Sequence, residues 1–366
     1  MTLQIWKHRK ALTGTFCKLD EGRITLGFIG GSITDARPRH NWPEPVIAWF
    51  ARSFPEARIA VENAAIGATG SDLGVLRAER DLIHRGCDIV FVEYAVNDHD
   101  TPSGRRRRTR EGLIRKLLAD GERDVVFVYT FCQDMYEPMA AGREPDSIRE
   151  LEELAEHYGI GSVWMGLHAL EEVRKGAIRW EEWLPDGLHP TARGSMSYGE
   201  SVIAFLEQDS SRAGDPYWVE RQSAAMVKPL DPLHWGESVQ LPLDEVSTEG
   251  PWTIRRWPYY GWIDRVLETA AVGAKLDFMF DGRGVALGFD FGRTSSEFRY
   301  RIDGGEWVSV ERDRPDWIGN EGWYRLWVHG DDLQHEAHRF ELEVIHGNRP
   351  GCQGTNFRLG MIGVIR

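Results

Sequence analysis

The chain is short of cysteine. Cys17, Cys87, Cys132 and Cys352 stand far apart with no CxxC pair, which gives little support for a zinc site or for a disulfide framework. Three of the four lie in or beside apolar stretches, where a thiol packs as a small hydrophobe. Positive charge is scarce too: 44 Lys and Arg face 57 Asp and Glu, a net charge of -13. Such a surface repels nucleic-acid backbones and anionic membranes, so neither is an expected partner. No stretch approaches the roughly 18 apolar residues of a membrane-spanning helix. The opening MTLQIWKHRKALTG lacks the uninterrupted apolar core of a secretory signal, so a soluble, cytoplasmic protein is expected. Internal repeats and low-complexity segments are also missing, and nothing indicates a repeat array or a disordered tract.

What is present is ample material for cores: 366 residues, 42% hydrophobic, with 15 tryptophans. That length favours two domains over one. From about residue 23 to 206, apolar β-branched runs (RITLGFIG, RIAVENAA, DIVFVEYA, DVVFVYT, GSVWM) alternate with amphipathic segments at 43–54, 71–85, 109–119, 145–158 and 191–206. Runs that are apolar throughout suit strands covered on both faces, so this half reads as a doubly wound α/β domain with a parallel sheet. Its binding crevice is expected beyond the carboxyl ends of the strands.

After about residue 210 the texture becomes strand alternation: KLDFMFDG, GVALGFDFG, SSEFRYRIDGGEWVSV, WYRLWVHG and HRFELEVIHG. The pairs Asp281-Gly282, Gly304-Gly305, Gly330-Asp331 and Gly347-Asn348 separate these strands as turns. An antiparallel β-sandwich of the jelly-roll or lectin-like kind follows, joined through the polar stretch EQDSSRAGDP. The expected division is 1–210 and 211–366. The run Arg105 to Arg108 reads as a solvated loop before a helix, with an anionic substrate site or a subunit contact as the other possibilities.

Chemistry enters at FIGGSIT, residues 28–34. Ser32 follows the first strand of the alternation and so stands at the mouth of the crevice, but a serine hydroxyl is a weak nucleophile without a base. The stretch LPDGLHP at 184–190 offers His189, with Asp186 three residues before it to orient the ring. Asp186-Gly187 could equally be a plain turn. Acyl transfer also needs donors for an oxyanion. Gly67 in NAAIGATG and Asn97 in AVND are placed to contribute, although Gly67 could merely supply a positive φ and Asn97 with Asp98 could merely cap a helix. Each of these residues falls after a strand or on the last loop before the final helix, and a parallel sheet brings those loops to one face.

In order and spacing, the blocks GGSIT, NAAIGATG, AVND and DGLHP resemble those of the SGNH hydrolases, also called GDSL-type esterases, over roughly residues 20–206. The resemblance implies a three-layer α/β/α flavodoxin-like fold. It implies Ser32 as nucleophile, His189 as base and Asp186 as its orienter, with the Ser32 amide, the Gly67 amide and the Asn97 side chain forming an oxyanion hole. Two-step ester hydrolysis without a cofactor would follow. Gly31 stands where the family's name motif has aspartate, and Ala95 where the third block usually has glycine.

The β-rich half holds nine tryptophans: Trp218, Trp235, Trp252, Trp257, Trp262, Trp307, Trp317, Trp323 and Trp327. Most suit a core. The cluster RRWPYYGWIDR at 255–265 is the best placed to be exposed, and Trp257, Tyr259, Tyr260 and Trp262 are candidate sugar-stacking residues. An appended jelly roll resembles the accessory domains of several carbohydrate esterases, so the leading substrate is an acetylated oligosaccharide such as a xylo-oligosaccharide. The alternatives are a lipase or thioesterase, a non-enzymatic carbohydrate-binding protein, and a sandwich that serves homo-oligomerisation.

Overall fold

The computed structural model describes residues 3–35, 41–212, 227–312 and 323–366. Trp218, Trp317 and part of the joining stretch lie outside them. The chain divides into two compact units, Met1–Gly236 and Glu237–Arg366.

The first unit is built on a six-stranded sheet. Its strands are β1 (Trp6–Lys7), β2 (Arg23–Gly30), β3 (Arg58–Asn63), β4 (Ile89–Glu93), β5 (Asp124–Val128) and β6 (Gly161–Val163), in the order β1-β6-β5-β4-β2-β3. β2 to β6 are parallel, and only the two-residue β1 runs antiparallel, beside β6. β4 and β5 are buried throughout, as expected for strands covered on both faces. The helices α1 (Thr13–Asp20), α2 (Pro43–Ser53), α3 (Ser71–Ala78), α4 (Ser103–Leu117), α5 (Tyr136–Ala140), α6 (Asp146–Tyr158), α7 (Met165–Arg174), α8 (Trp180–Trp183) and α9 (Ala192–Arg212) connect the strands and follow the last.

Four helices lie outside the amphipathic segments read from the sequence: α1, α5, α7 and α8. α1 depends on a distant partner, for the Asp124 carboxylate at the start of β5 accepts both the amide (2.7 Å) and the hydroxyl (2.8 Å) of Thr15 in its first turn. α7 begins at Met165, where the sequence had suggested a continuing strand.

The arginine run corrects one expectation. It is not a loop before a helix but the first turns of α4. Arg106 is buried and forms a two-pronged pair with Glu150 of α6, at 2.6 and 2.9 Å. Arg107 meets Glu153 at 2.8 Å and Arg108 meets Asp231 at 3.3 Å.

The segment after residue 226 packs on the same helix. The Glu111 carboxylate accepts the amides of Leu230 (2.6 Å) and Asp231 (2.8 Å), and Arg115 donates to the Val227 carbonyl at 2.8 Å. Trp235 is fully buried, and a Cβ on Gly112 would lie 2.6 Å from its backbone carbonyl carbon. The first unit therefore runs on to Gly236, past the boundary at 210 read from composition.

The second unit contains two antiparallel sheets. One has the order β15 (Trp323–Val328), β12 (Gly284–Phe291), β17 (Phe357–Ile365), β10 (Arg265–Thr269), β9 (Thr253–Arg256), with β7 (Val239–Leu241) also paired to β17. The other has the order β14 (Val308–Val310), β13 (Glu297–Ile302), β16 (Glu336–Ile345), β11 (Lys275–Gly282), β8 (Ser247–Glu249). Side chains of period two from both sheets, among them Phe278 and Phe340 on one side and Leu287, Phe289 and Phe357 on the other, form a single core. Of the four expected turn pairs, only Gly304-Gly305 joins hydrogen-bonded neighbours, β13 and β14. The other three stand where the chain passes from one sheet to the other.

Candidate active site

β2 ends at Gly30, and a short helical turn follows at once: the amides of Thr34 and Asp35 both donate to the Gly31 carbonyl, at 3.1 and 3.0 Å. Ser32 sits in that turn, at the carboxyl end of the sheet, as the sequence places it. The turn is held from several sides. Asn63 at the end of β3 donates from Nδ2 to the Thr34 carbonyl (2.8 Å), and Trp42 donates from Nε1 to Thr34 Oγ1 (2.9 Å).

His189 comes from the loop between α8 and α9. The Gly187 amide donates to the Leu184 carbonyl (3.0 Å), and Gln133 donates its amide to the Gly187 carbonyl (3.0 Å), tying the loop to the region beyond β5. Gly187 has φ +76°, a conformation glycine adopts at no steric cost. The tight turn lets Asp186 Oδ1 accept the amides of Leu188 (2.9 Å) and His189 (2.6 Å), while Oδ2 lies 2.9 Å from His189 Nδ1. His189 Nε2 lies 2.9 Å from Ser32 Oγ. An ionised carboxylate can only accept, so Nδ1 carries the ring proton and Nε2 is left to accept from the serine hydroxyl. Partial burial is the largest single influence on the Asp186 carboxyl and by itself would raise it. The His189 ring and the two amides outweigh this, holding it below its ordinary value and hence ionised at neutral pH. The His189 and Asp186 side chains are 40% and 54% exposed, so this side of the site opens to solvent.

The structure brings both remaining candidates to the Ser32 turn, Gly67 against Ser32 and Asn97 against Gly31. The Ile66 amide donates to the Gly30 carbonyl (3.0 Å), continuing the β2–β3 pairing one step past the strands and delivering the next residue, Gly67. A Cβ on Gly67 would touch Ser32 Cβ at 3.5 Å. Gly67 thus stands against Ser32 with room for a Cβ, and its backbone is not left-handed: that conformation belongs to its neighbour Ala68, at φ +57°.

Asn97 packs its carboxamide directly on Gly31. A Cβ there would lie 1.8 Å from Asn97 Oδ1 and 2.7 Å from Nδ2. The glycine in place of the motif's aspartate is thus the space that Asn97 occupies. Asp98 does not cap the segment that follows it. Its Oδ1 accepts the Ser71 amide at the start of α3 (2.9 Å) and its Oδ2 pairs with buried Arg110 of α4 (2.8 Å), anchoring the Asn97 loop to two helices.

One residue behind the site escaped the sequence reading. Glu93, the last residue of β4, is wholly buried beneath the Ser32 turn. Its only signal in the sequence is a carboxylate ending an otherwise apolar run. Among the described residues no group of His, Cys, Asp and Glu is arranged to hold a metal ion, and no helix is long and apolar enough to cross a membrane.

The four aromatic candidates lie in the second unit and differ in exposure. Trp257 is buried, with the Tyr259 ring 4.7 Å away and the Arg358 guanidinium 4.8 Å above it. Tyr260 and Trp262 stack on each other at 5.2 Å and are half-buried or exposed only in part. Tyr259 is 74% exposed. It borders a groove of about 350 Å³ that is also lined by Arg255, Glu268 and Asn356.

No curated protein sequence matches the chain. Among solved structures, a two-domain esterase active on acetylated mannans, co-crystallized with mannopentaose, is similar over 98% of this chain and 95% of its own, with a TM-score of 0.80 at 21% identity. A second structure of a two-domain esterase active on acetylated mannans gives 0.78 at 22%, over 98% and 96% of the two chains. An acetyl xylan esterase from Geobacillus stearothermophilus matches over 50% of this chain and 94% of its own, at 22% identity and a TM-score of 0.41. The fold of both units is shared over 98% of this chain. Residues 28–196, a stretch that includes Ser32, Gly67, Asn97, Asp186 and His189, match the GDSL-like lipase/acylhydrolase family.

Proposed function

We propose that the protein is a serine esterase that removes acetyl groups from an acetylated oligosaccharide through an acyl-enzyme. The observation that carries the reading is the Ser32–His189–Asp186 relay, with 2.9 Å at both the Oγ to Nε2 and the Nδ1 to Oδ2 contacts. In the first step His189 Nε2 takes the Ser32 proton as Oγ attacks the acetyl carbonyl carbon. The tetrahedral oxyanion is held by the Ser32 and Gly67 amides and the Asn97 carboxamide. Collapse expels the sugar oxygen, which takes the proton from His189, and leaves an acetyl-serine. Water, deprotonated by the same nitrogen, then attacks the acetyl carbon, and acetate leaves as Ser32 regains its proton. Asp186 stays ionised throughout and stabilises the imidazolium that forms at each step.

The sugar assignment has two supports. The fold, both units included, is that of an esterase described as active on acetylated mannans. The groove beside Tyr259 pairs one exposed ring with Arg255, Glu268 and Asn356, polar groups suited to hydroxyls. Acetate release from acetylated manno- and xylo-oligosaccharides, each at equal acetyl content, tests the reading. Turnover of either sugar, abolished by Ser32→Ala with a loss of about a million-fold, is expected. Equal activity on long-chain acyl esters and none on the sugars would move the assignment to the lipases of the same superfamily.

A further inference from the structure

Glu93 is a carboxylate with no exposed surface, set at the carboxyl end of β4 between the ends of β2 and β5. Its Oε1 accepts the Thr130 hydroxyl at 2.7 Å. Its Oε2 accepts the Thr34 hydroxyl at 3.2 Å and the Gly31 amide at 3.4 Å. Thr34 Oγ1 already accepts Trp42 Nε1, so its own proton is free for the glutamate. Among the described residues no Lys or Arg forms an ion pair with Glu93, and the charge of Asp98, another carboxylate, raises it further. Burying a carboxylate among neutral donors is costly, and burial pushes this one up to about 7. An apolar residue would fill the same volume without that cost.

What the carboxyl does that an apolar side chain could not is grip the Ser32 turn at both ends: Gly31 directly precedes the serine and Thr34 lies two residues after it. A Cβ on Gly30 would lie 3.0 Å from Glu93 Oε2, so the backbone approaches the carboxyl closely there as well. Gly31 is also the residue on which Asn97 packs. One side chain therefore bears on the nucleophile and on an oxyanion donor together. We propose that Glu93 is a positioning residue for ester hydrolysis, fixing the Gly31–Thr34 turn so that Ser32 faces His189 and Asn97 keeps its seat. This rests on the serine-esterase reading above. The grip needs an acceptor facing Gly31 and Thr34 and a group compatible with the Thr130 hydroxyl. A glutamine satisfies both, with its carbonyl toward the turn and its NH₂ toward Thr130 Oγ1.

The experiment measures p-nitrophenyl acetate hydrolysis by the full chain, with active sites counted by a phosphonate that labels Ser32, so that turnover is read per competent molecule. Wild type and Ser32→Ala are run beside the variants. Activity in the first and none in the second upholds the esterase reading whatever Glu93 does. Glu93→Met, of similar volume but with no acceptor, is expected to lower kcat per titrated site about a hundredfold, the scale of a misplaced reacting group, with KM changed less than twofold. Glu93→Gln should recover kcat to within about fivefold of wild type. Should Glu93→Met not fold, Thr130→Val removes the hydroxyl on Oε1 at constant volume, and a drop in kcat of about fivefold or more at unchanged KM is expected. The proposal is overturned by a folded Glu93→Met with kcat within threefold of wild type, by a Glu93→Gln as impaired as the methionine variant, or by a fully active Thr130→Val where that is the variant available.

Discussion

Placing one methyl group on Gly31 gives the sharpest test of how the site is assembled. The Cβ of Gly31→Ala would stand 1.8, 2.5 and 2.7 Å from the three terminal atoms of Asn97, all below the closest approach of real carbon contacts. Those atoms end a flexible side chain, so Asn97 can swing away at little cost to the fold, about 1 kcal/mol. What it loses is its place. If Asn97 is an oxyanion donor, its displacement removes about 3–4 kcal/mol of transition-state stabilisation, a fall in kcat of about a hundred- to a thousandfold. Asn97→Ala should lose the same amount for the same reason. The decisive variant is the pair. Because both single changes remove one interaction, Gly31→Ala/Asn97→Ala should be no worse than either alone, a non-additivity of about 3 kcal/mol in the double-mutant cycle. The assay is kcat on an acetyl ester, with thermal unfolding as the check on the fold. Losses that multiply in the double variant would refute the displacement argument, and an alanine variant with kcat within threefold of wild type would refute the role of Asn97.

Further expectations concern charge, loop anchoring and sugar binding. Glu93 titrates near 4.5 in an unfolded chain and near 7 in place; between these values the folded state holds a proton the unfolded state has released, so the stability this group contributes falls as pH rises through the window and levels off above it. Relative to Glu93→Gln, wild type should lose about 3 kcal/mol between pH 4.5 and 7.5, and parallel denaturant curves across that range would contradict the burial argument. Arg110→Met strands the Asp98 carboxylate in the interior and should cost about 3–5 kcal/mol in denaturant unfolding; a loss under 1 kcal/mol would mean that the pair anchors nothing. Tyr259→Ala should raise KM for an acetylated oligosaccharide about fivefold, from the loss of roughly 1 kcal/mol of ring contact, and more than it raises KM for p-nitrophenyl acetate; equal effects on both substrates would remove the groove from sugar recognition.

The residues that could be found in the sequence are those whose role shows in their immediate surroundings. Ser32 announces itself by the paired glycines that precede it at the end of an apolar run, and His189 by an aspartate close enough for a single loop to supply both. Their meeting across 157 positions followed from a rule of topology, that a parallel sheet gathers its loops on one face. Glu93 and the anchoring role of Asp98 stayed hidden because their partners are elsewhere: Thr34 lies 59 residues from Glu93, and Arg110 reaches Asp98 across 12 residues from α4. Arg106 misled for a related reason. A run of four arginines looks solvated until one sees that Glu150, on another helix, waits for the second of them. In the second unit, alternation marked the strands but carried nothing about which sheet each joins, since a Gly-Asp or Gly-Asn pair between strands permits a hairpin and a crossing alike.

The way residues 227–236 lie on α4 bears on how the two units could be cut apart. A chain ended near residue 210, where the polar stretch invites the cut, would strip Glu111 of the Leu230 and Asp231 amides and uncover the bed of Trp235 beside Gly112. The excised piece would then carry an exposed apolar patch and a carboxylate left with the Tyr158 hydroxyl but without those two amides, and any poor behaviour would be a wound of the cut. A cut after Gly236 leaves that seam closed, and it is the one to choose when asking what the α/β unit can do alone.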